Sequence, residues 1–311
     1  MISIRNLSFR YRGAGRDALS GINLEIPDGD FLGIIGPSGA GKSTLTYSLN
    51  GVVPQHYGGD FYGQVLVNGL DTVEAGTEEI ARELGSVFQD IDGQMVAAVV
   101  EDEILFALEN FRIPHDEIEG RLETALAAAG IGDLRRRTLS SLSGGQKQKA
   151  AIAAIIALRP RIIVLDEATG ELDPASSRQV FEFLRDLNRE FGVTIVAVEQ
   201  KIMLLCEFAR HLAVMDQGRL VLHGTVAEVL QQPESMEGAG VNIPRVTSLG
   251  KGLRDRGLYP GPLPHNTEQA KAMIESLRLG EGKLNGANSE DGKPKDGNLR
   301  DGNSGDSNAA F

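Results

Sequence analysis

With 311 residues, 41% of them hydrophobic and 24% charged, the chain is long enough for one large domain with an appendage and for a well-buried core. Its 43 acidic and 31 basic residues give a formal net charge of −12, which argues against nucleic-acid binding, because that affinity rests on clustered Lys and Arg releasing counterions. The single cysteine, Cys206 in IMLLCEFA, has no partner for a disulfide or a multi-cysteine metal site and reads as a buried structural thiol of a reducing cytoplasm.

The opening MISIRNLSF lacks the basic and apolar segments of an export signal, while Ile2, Ile4, Leu7 and Phe9 nearly alternate and predict a half-buried strand. FLGIIG predicts a central strand running into a loop, and the glycine-broken runs between Gly51 and Asp71 predict small antiparallel strands. From Glu101 to about Pro160 the period becomes helical, which implies a helical subdomain of about residues 90–160 inserted between two strands. Within it Asp116 and Glu119 suit a capping box, Ile118, Leu122, Ala125, Leu126 and Ala129 form an apolar stripe, and Gly130 suits a C-cap. IIVLDE restores the strand pattern, followed by a helix that Asp173 can cap, Pro174 can start and Gly192 can stop. TIVAV, LAVM and RLVLHG predict further strands. The main domain is therefore expected over residues 1–232, with a small folded appendage at 233–279 and a polar, disordered tail at 280–311. The longest apolar run, Ala150 to Leu158, is about half of the ~20 residues that a bilayer requires, so any membrane work calls for a separate partner.

The phosphate-loop pattern GxxxxGK[ST] is met by Gly36, Pro37, Ser38, Gly39, Ala40, Gly41, Lys42, Ser43 and Thr44, between an apolar strand and a helix. Glycines let backbone N–H groups crowd around phosphate oxygens and the helix N-terminus adds a favourable dipole. Lys42 can then reach the β and γ phosphates and the Ser43 hydroxyl can ligate Mg2+. A chance glycine-rich turn is the alternative, weakened by the strand before and the helix after. At the end of IIVLDE, Asp166 can hold the magnesium shell and Glu167 can orient an attacking water. The five histidines, His56, His115, His211, His223 and His265, are scattered, so no histidine metal cluster is expected.

LSGGQKQK, residues 142–149, ends about a dozen residues before IIVLDE, and with it the sequence resembles the ABC-type ATPases, whose signature is LSGGQ. Ser143, Gly144, Gly145 and Gln146 open a helix and form a second anion site. The resemblance spans roughly residues 1–230 and implies an α/β P-loop NTPase core, with an antiparallel β subdomain and an inserted helical subdomain. It also implies a head-to-tail pair of subunits, homo- or heterodimeric, in which each signature covers the ATP on the other's phosphate loop. Further positions follow from it: Tyr11 as the aromatic that stacks on adenine, Gln89 as the glutamine that touches Mg2+ and water, and Asp173 in the loop that crosses the dimer interface. Read without it, Tyr11 is packing, Gln89 a surface residue and Asp173 an N-cap. A plain N-cap explains Ser143 but leaves the Gly-Gly-Gln after it without a reason.

Residues 89–110, QDIDGQMVAAVVEDEILFALEN, and the stretch VNIPRVTSLGKGLRDRGL are similar to the ATPases of energy-coupling factor (ECF) importers of vitamins or of cobalt and nickel ions. That likeness implies a transmembrane coupling subunit and a substrate-binding membrane subunit as partners, at the cytoplasmic face of the membrane. Glu101, Asp102 and Glu103 are either an acidic first helical turn or exposed carboxylates for arginines of the coupling subunit. Finally, TIVAVEQK ends in Glu199, Gln200 and Lys201 at a strand's carboxyl end, where parallel sheets bind ligands. In ABC ATPases that strand ends in a histidine contacting the γ-phosphate, and Gln200 takes its place. Glutamine can donate a hydrogen bond but cannot carry imidazole's proton, which predicts slow hydrolysis or dependence on a partner's complete site.

Overall fold

The computed structural model describes residues 1–287, with side chains described through residue 277. Among these residues β1 (Ile2–Tyr11), β2 (Leu19–Ile26), β4 (Gly59–Val67) and β5 (Leu70–Asp71) form an antiparallel sheet in the order β2-β1-β4-β5. A second sheet has the order β10-β9-β3-β8-β7-β6, built from β3 (Phe31–Ile35), β6 (Leu84–Val87), β7 (Ile162–Asp166), β8 (Thr194–Val198), β9 (His211–Asp216) and β10 (Arg219–Thr225). It is parallel except for β10, which pairs antiparallel with β9.

The two-sided burial of the central strands follows from two cores on opposite faces of this sheet. Leu32, Ile34, Val164, Val196, Val198, Ala213 and Met215 pack toward the antiparallel sheet and α1 (Lys42–Leu49). Their neighbours Phe31, Ile35, Ile163, Leu165, Ile195, Ala197, Leu212 and Val214 pack toward the helices on the other side. With period-2 geometry a strand between two cores must be apolar at every position, which is the FLGII, IIVL and TIVAV pattern. Burying each such Val or Ile contributes about 1.5–3 kcal/mol. β1 alternates only in part because Asn6 adopts φ 49° and the register slips between Ile4 and Leu7, returning Leu7 and Phe9 to the core.

Helices α2 (Val52–Gln55) and α3 (Thr77–Glu83) follow α1, and the insert comprises α4 (Ile91–Gln94), α5 (Val100–Asn110), α6 (His115–Ala129) and α7 (Gly144–Ala157). Its apolar stripe is buried at Leu122, Ala125, Leu126 and Ala129, and Gly130 ends α6 in the left-handed region at φ 62°. The expected Asp116–Glu119 capping box is absent: α6 starts at His115 after Pro114, without a side-chain cap, and Asp116 lies inside its first turn. Glu119 is recruited elsewhere, accepting from Arg135, which also grips Glu101 with two hydrogen bonds at 2.7 and 3.0 Å.

Of the two readings of Glu101 to Glu103, the acidic first turn is the one found, at the start of α5, and the trio does not form a set of exposed carboxylates. Glu101 is paired within the chain, and Arg135 holds its carboxyl below the usual range. Glu103 is 8% exposed and accepts from the N–H groups of Val96 and Ala97 at 3.0 and 2.8 Å, leaving Asp102 alone of the trio outward.

α8 (Pro174–Phe191) and α9 (Ile202–Phe208) cover the helical face, and Cys206 is 7% exposed in that core, its thiol pushed up to about 12 by burial. Beyond β10 come α10 (Val226–Leu230), α11 (Pro233–Gly238), α12 (Arg245–Asp255) and α13 (Thr267–Ala287). Leu263 and Met273 are buried there and the Thr247 hydroxyl donates to Pro264 O at 2.7 Å. α13 continues to Ala287, past the expected boundary at 280, and the rest of the predicted tail lies outside the described residues.

Candidate nucleotide-binding site

The loop after β3 curls back over the carboxyl end of the parallel sheet before α1 begins. Two glycines are required there by contact: a Cβ on Gly36 would stand 2.2 Å from Met215 O, and one on Gly41, at φ 98°, would stand 2.5 Å from Ala18 O. The Lys42 ammonium is folded under this loop, donating to Gly36 O at 3.0 Å and Pro37 O at 3.1 Å, and lies 3.5 Å from Glu167 Oε1. Ser38, Gly39, Gly41, Lys42, Ser43 and Thr44 line a cavity of about 790 Å³, with Pro37 and Ala40 completing the loop behind them.

β7 delivers Asp166 and Glu167 beside that loop. Asp166 is 5% exposed; its Oδ2 accepts from Thr46 Oγ1 at 3.3 Å, and its Oδ1 has no partner. Burial raises its pKa, against the pull of the neighbouring Ser43 and Thr46 hydroxyls. A half-satisfied buried carboxylate beside a hydroxyl fits a hard divalent cation such as Mg2+, which takes oxygen ligands. Glu167 follows with φ 50°, a backbone conformation that is sparsely populated outside glycine, and lines the cavity. Gln200, two residues past the end of β8, donates from Nε2 to Glu167 Oε2 at 2.8 Å. Gln89 and Tyr11 reach the same cavity, and Tyr11 OH lies 3.1 Å from Thr44 Oγ1.

The second group of expected residues is elsewhere. Ser143, Gly144, Gly145, Gln146 and Asp173 do not line this cavity; Ser143 and Gly144 are exposed at the N-terminus of α7. Against expectation, Gln146 has a local reason of its own at the start of α7. Ser143 N donates to Gln146 Oε1 at 3.0 Å and Gln146 N to Ser143 Oγ at 3.4 Å, a reciprocal capping box. The glycines have a reason within the chain as well, but a tertiary one: a Cβ on Gly144 would meet Leu172 Cδ2 at 2.8 Å and one on Gly145 would meet Ser176 Cβ at 3.1 Å. Asp173 caps α8, accepting from Ala175 N at 2.9 Å and Ser176 N at 3.0 Å.

Residues without a sequence signal also contribute. Arg16, Asp17, Gln217 and Arg219 line the cavity from two turns that meet only in space. Gln148 is fully buried beneath a separate cavity of about 310 Å³ shared with Gln89 and Leu172, and neither of its amide atoms has a partner. Its signal was weak, since it follows the signature by two residues in a run of polar side chains.

Comparison with known proteins agrees with this geometry. The sequence model of the family described as ABC transporter matches residues 19–170. A Pyrococcus horikoshii protein described as an ABC transporter ATP-binding protein is 41% identical over 258 residues, covering 83% of this chain and 91% of that protein. The energy-coupling factor transporter ATP-binding protein EcfA1 of Caldanaerobacter subterraneus is 38% identical over 281 residues, covering 89% of this chain and 98% of that protein. Among solved structures, cbiO1 from Clostridium perfringens, part of the ABC transporter complex cbiONQ, superposes with a TM-score of 0.69 at 31% identity, over 80% of this chain and 98% of that one. MJ0796, an ABC cassette in a dimeric post-hydrolysis state bound to ADP and Pi, gives 0.62 at 26% identity, over 73% of this chain and 99% of that one. A phosphate loop, an Asp-Glu strand end and a signature helix in one α/β fold, with relatives matched nearly end to end, make this chain a member of the ABC transporter ATP-binding proteins, an ABC-type ATPase.

Proposed function

We propose that the chain is the ATP-hydrolysing subunit of an ECF-type importer that takes up a vitamin or a transition-metal ion. The observation that carries this is the reach of the match to the ECF protein, 98% of that protein's length, which runs beyond the nucleotide core. No helix among the described residues is long and apolar enough to cross a membrane, so transport on this reading needs a coupling subunit and a substrate-binding subunit in the membrane. The chain would sit against their cytoplasmic face.

In this reading the loop amides and Lys42 bind the β and γ phosphates and Tyr11 stacks on adenine. Ser43, Asp166 and Gln89 would hold Mg2+, which when bound would neutralise phosphate charge. Glu167 orients the water for in-line attack, and Gln200 holds Glu167 in position while its amide remains near the reacting phosphate. Ser143, Gly144, Gly145 and Gln146 cover the ATP of a second subunit, with Asp173 at the same interface. The capping box leaves this open to Ser143, because its oxygen accepts and its O–H is free to donate. Closing and opening of the pair then moves the membrane subunits.

Affinity-tagged chain extracted in mild detergent is expected to bring down a polytopic coupling subunit together with a small substrate-binding membrane protein. Recovery of neither would overturn the ECF reading and leave the ATPase assignment standing.

Gln200 favours a second reading, a subunit with a weak site paired with an active homologue. Glutamine supplies the hydrogen bond but no exchangeable charge, so Gln200→His is expected to raise the hydrolysis rate about tenfold. Rates that stay level would show that the amide suffices and would remove the reason for this second reading.

A further inference from the structure

Glu199 and Lys201 flank Gln200, yet neither lines the nucleotide cavity. Both act instead on the loop between Glu167 and Asp173. Glu199 is 2% exposed and accepts from Thr169 N at 3.0 Å and from the Thr169 hydroxyl. Lys201 Nζ donates to Thr169 O at 2.6 Å, Leu172 O at 2.8 Å and Ser177 Oγ at 2.8 Å, so that all three ammonium hydrogens are used. The loop is thus gripped by its amide, its hydroxyl and two of its carbonyls, from the strand end that carries Gln200.

Glu167 starts this loop at φ 50°, and such a backbone persists only where its surroundings over-determine it. Two bonds hold Glu167 itself: its N–H donates to Val198 O at 2.9 Å and its carbonyl accepts from Gly170 N at 3.0 Å. The second of these depends on where residues 169–172 stand. We propose that Lys201, seconded by Glu199, is a positioning residue for hydrolysis: it clamps the loop so that Glu167 keeps its left-handed turn and its contact with Gln200. The geometry favours lysine over arginine, because three acceptors around one nitrogen match a tetrahedral ammonium and not a planar fork. The role rests on Glu167 being the water-orienting carboxylate.

The test uses the full-length chain, reading steady-state ATP hydrolysis and, separately, the affinity for a fluorescent ATP analogue. Lys201→Met is expected to lower kcat by about tenfold or more, as displacement of a catalytic carboxylate does, with analogue affinity within about twofold of the parent. Lys201→Cys is expected to show the same loss and to regain activity after alkylation with 2-bromoethylamine, which rebuilds an ammonium at nearly the same reach. Iodoacetamide, which adds no charge, should give no recovery. Cys206 does not interfere, being buried with its thiol pushed up to about 12. In a Glu167→Gln background Lys201→Met is expected to cause no further loss. The proposal is overturned by hydrolysis within twofold of the parent in Lys201→Met, by loss of analogue binding in step with hydrolysis, or by an aminoethylated Lys201→Cys that binds analogue but stays slow. A Glu167→Gln chain that still turns over would instead remove the assignment beneath it.

Discussion

Glu167→Gln is expected to stop steady-state ATP hydrolysis, by a factor of about 100 or more, while ATP binding stays within about twofold of the parent. The amide keeps the shape of the carboxylate and can still accept from Gln200 Nε2, which stands 2.8 Å from Glu167 Oε2. What is lost is the negative charge that draws a proton from water. Lys42, 3.5 Å from Glu167 Oε1, also loses a competing anion and becomes freer for phosphate, so affinity should hold or improve. Phosphate release and equilibrium titration with a fluorescent ATP analogue read the two effects separately, and turnover at the parent rate would defeat the role given to Glu167.

Asp166→Asn is expected to separate stability from function. Burial raises the folded-state pKa of Asp166 above its unfolded value, so the folded chain holds that proton more tightly. The matching stability is present below the unfolded pKa and is lost as pH rises through the folded one. At pH 7 the ionised, half-satisfied carboxylate therefore works against the fold. Asparagine carries no such charge, so the ligand-free variant should melt higher at pH 7, by roughly 2 °C, with the gap closing as pH falls into the ordinary carboxylate range. With ATP and Mg2+ the order reverses: the parent gains stability by mass action and the variant does not, and hydrolysis falls by about 100-fold or more. Thermal melts with and without Mg-ATP, from pH 4 to pH 8, decide it. A variant that melts lower throughout and still responds to Mg-ATP would refute both halves.

Where local chemistry determines structure, the sequence was readable. β3, β7 and β8 are buried on both faces and had to be apolar throughout, and α8 carries its own cap, proline start and glycine stop in sequence. β2 was legible too, since Ile22, Leu24 and Ile26 alternate with exposed residues, whereas β6 has four residues, one of them Gly85, too few to show a period. The Asp116–Glu119 box matched a motif that the chain does not use, since α6 begins at His115 and Asp116 falls inside the helix instead of at its N-cap.

At the site, residue type and order alone determined the phosphate loop, the Asp-Glu strand end and the signature. Each is a short contiguous segment of fixed residue types, and in the phosphate loop the backbone must also take one shape to crowd amides around an anion. Only the tertiary structure decided how the remaining side chains are used. It assigned Glu101 to Arg135 and Glu103 to the Val96 and Ala97 amides. It set Gln200 on Glu167, with Glu199 and Lys201 on the loop that follows. The reason is physical: a buried or half-buried polar group takes whichever partner the fold brings within about 3 Å, and such partners here can lie 34 residues away, as for Glu101 and Arg135, or 120, as for Asp166 and Thr46, where spacing in sequence carries no trace of them.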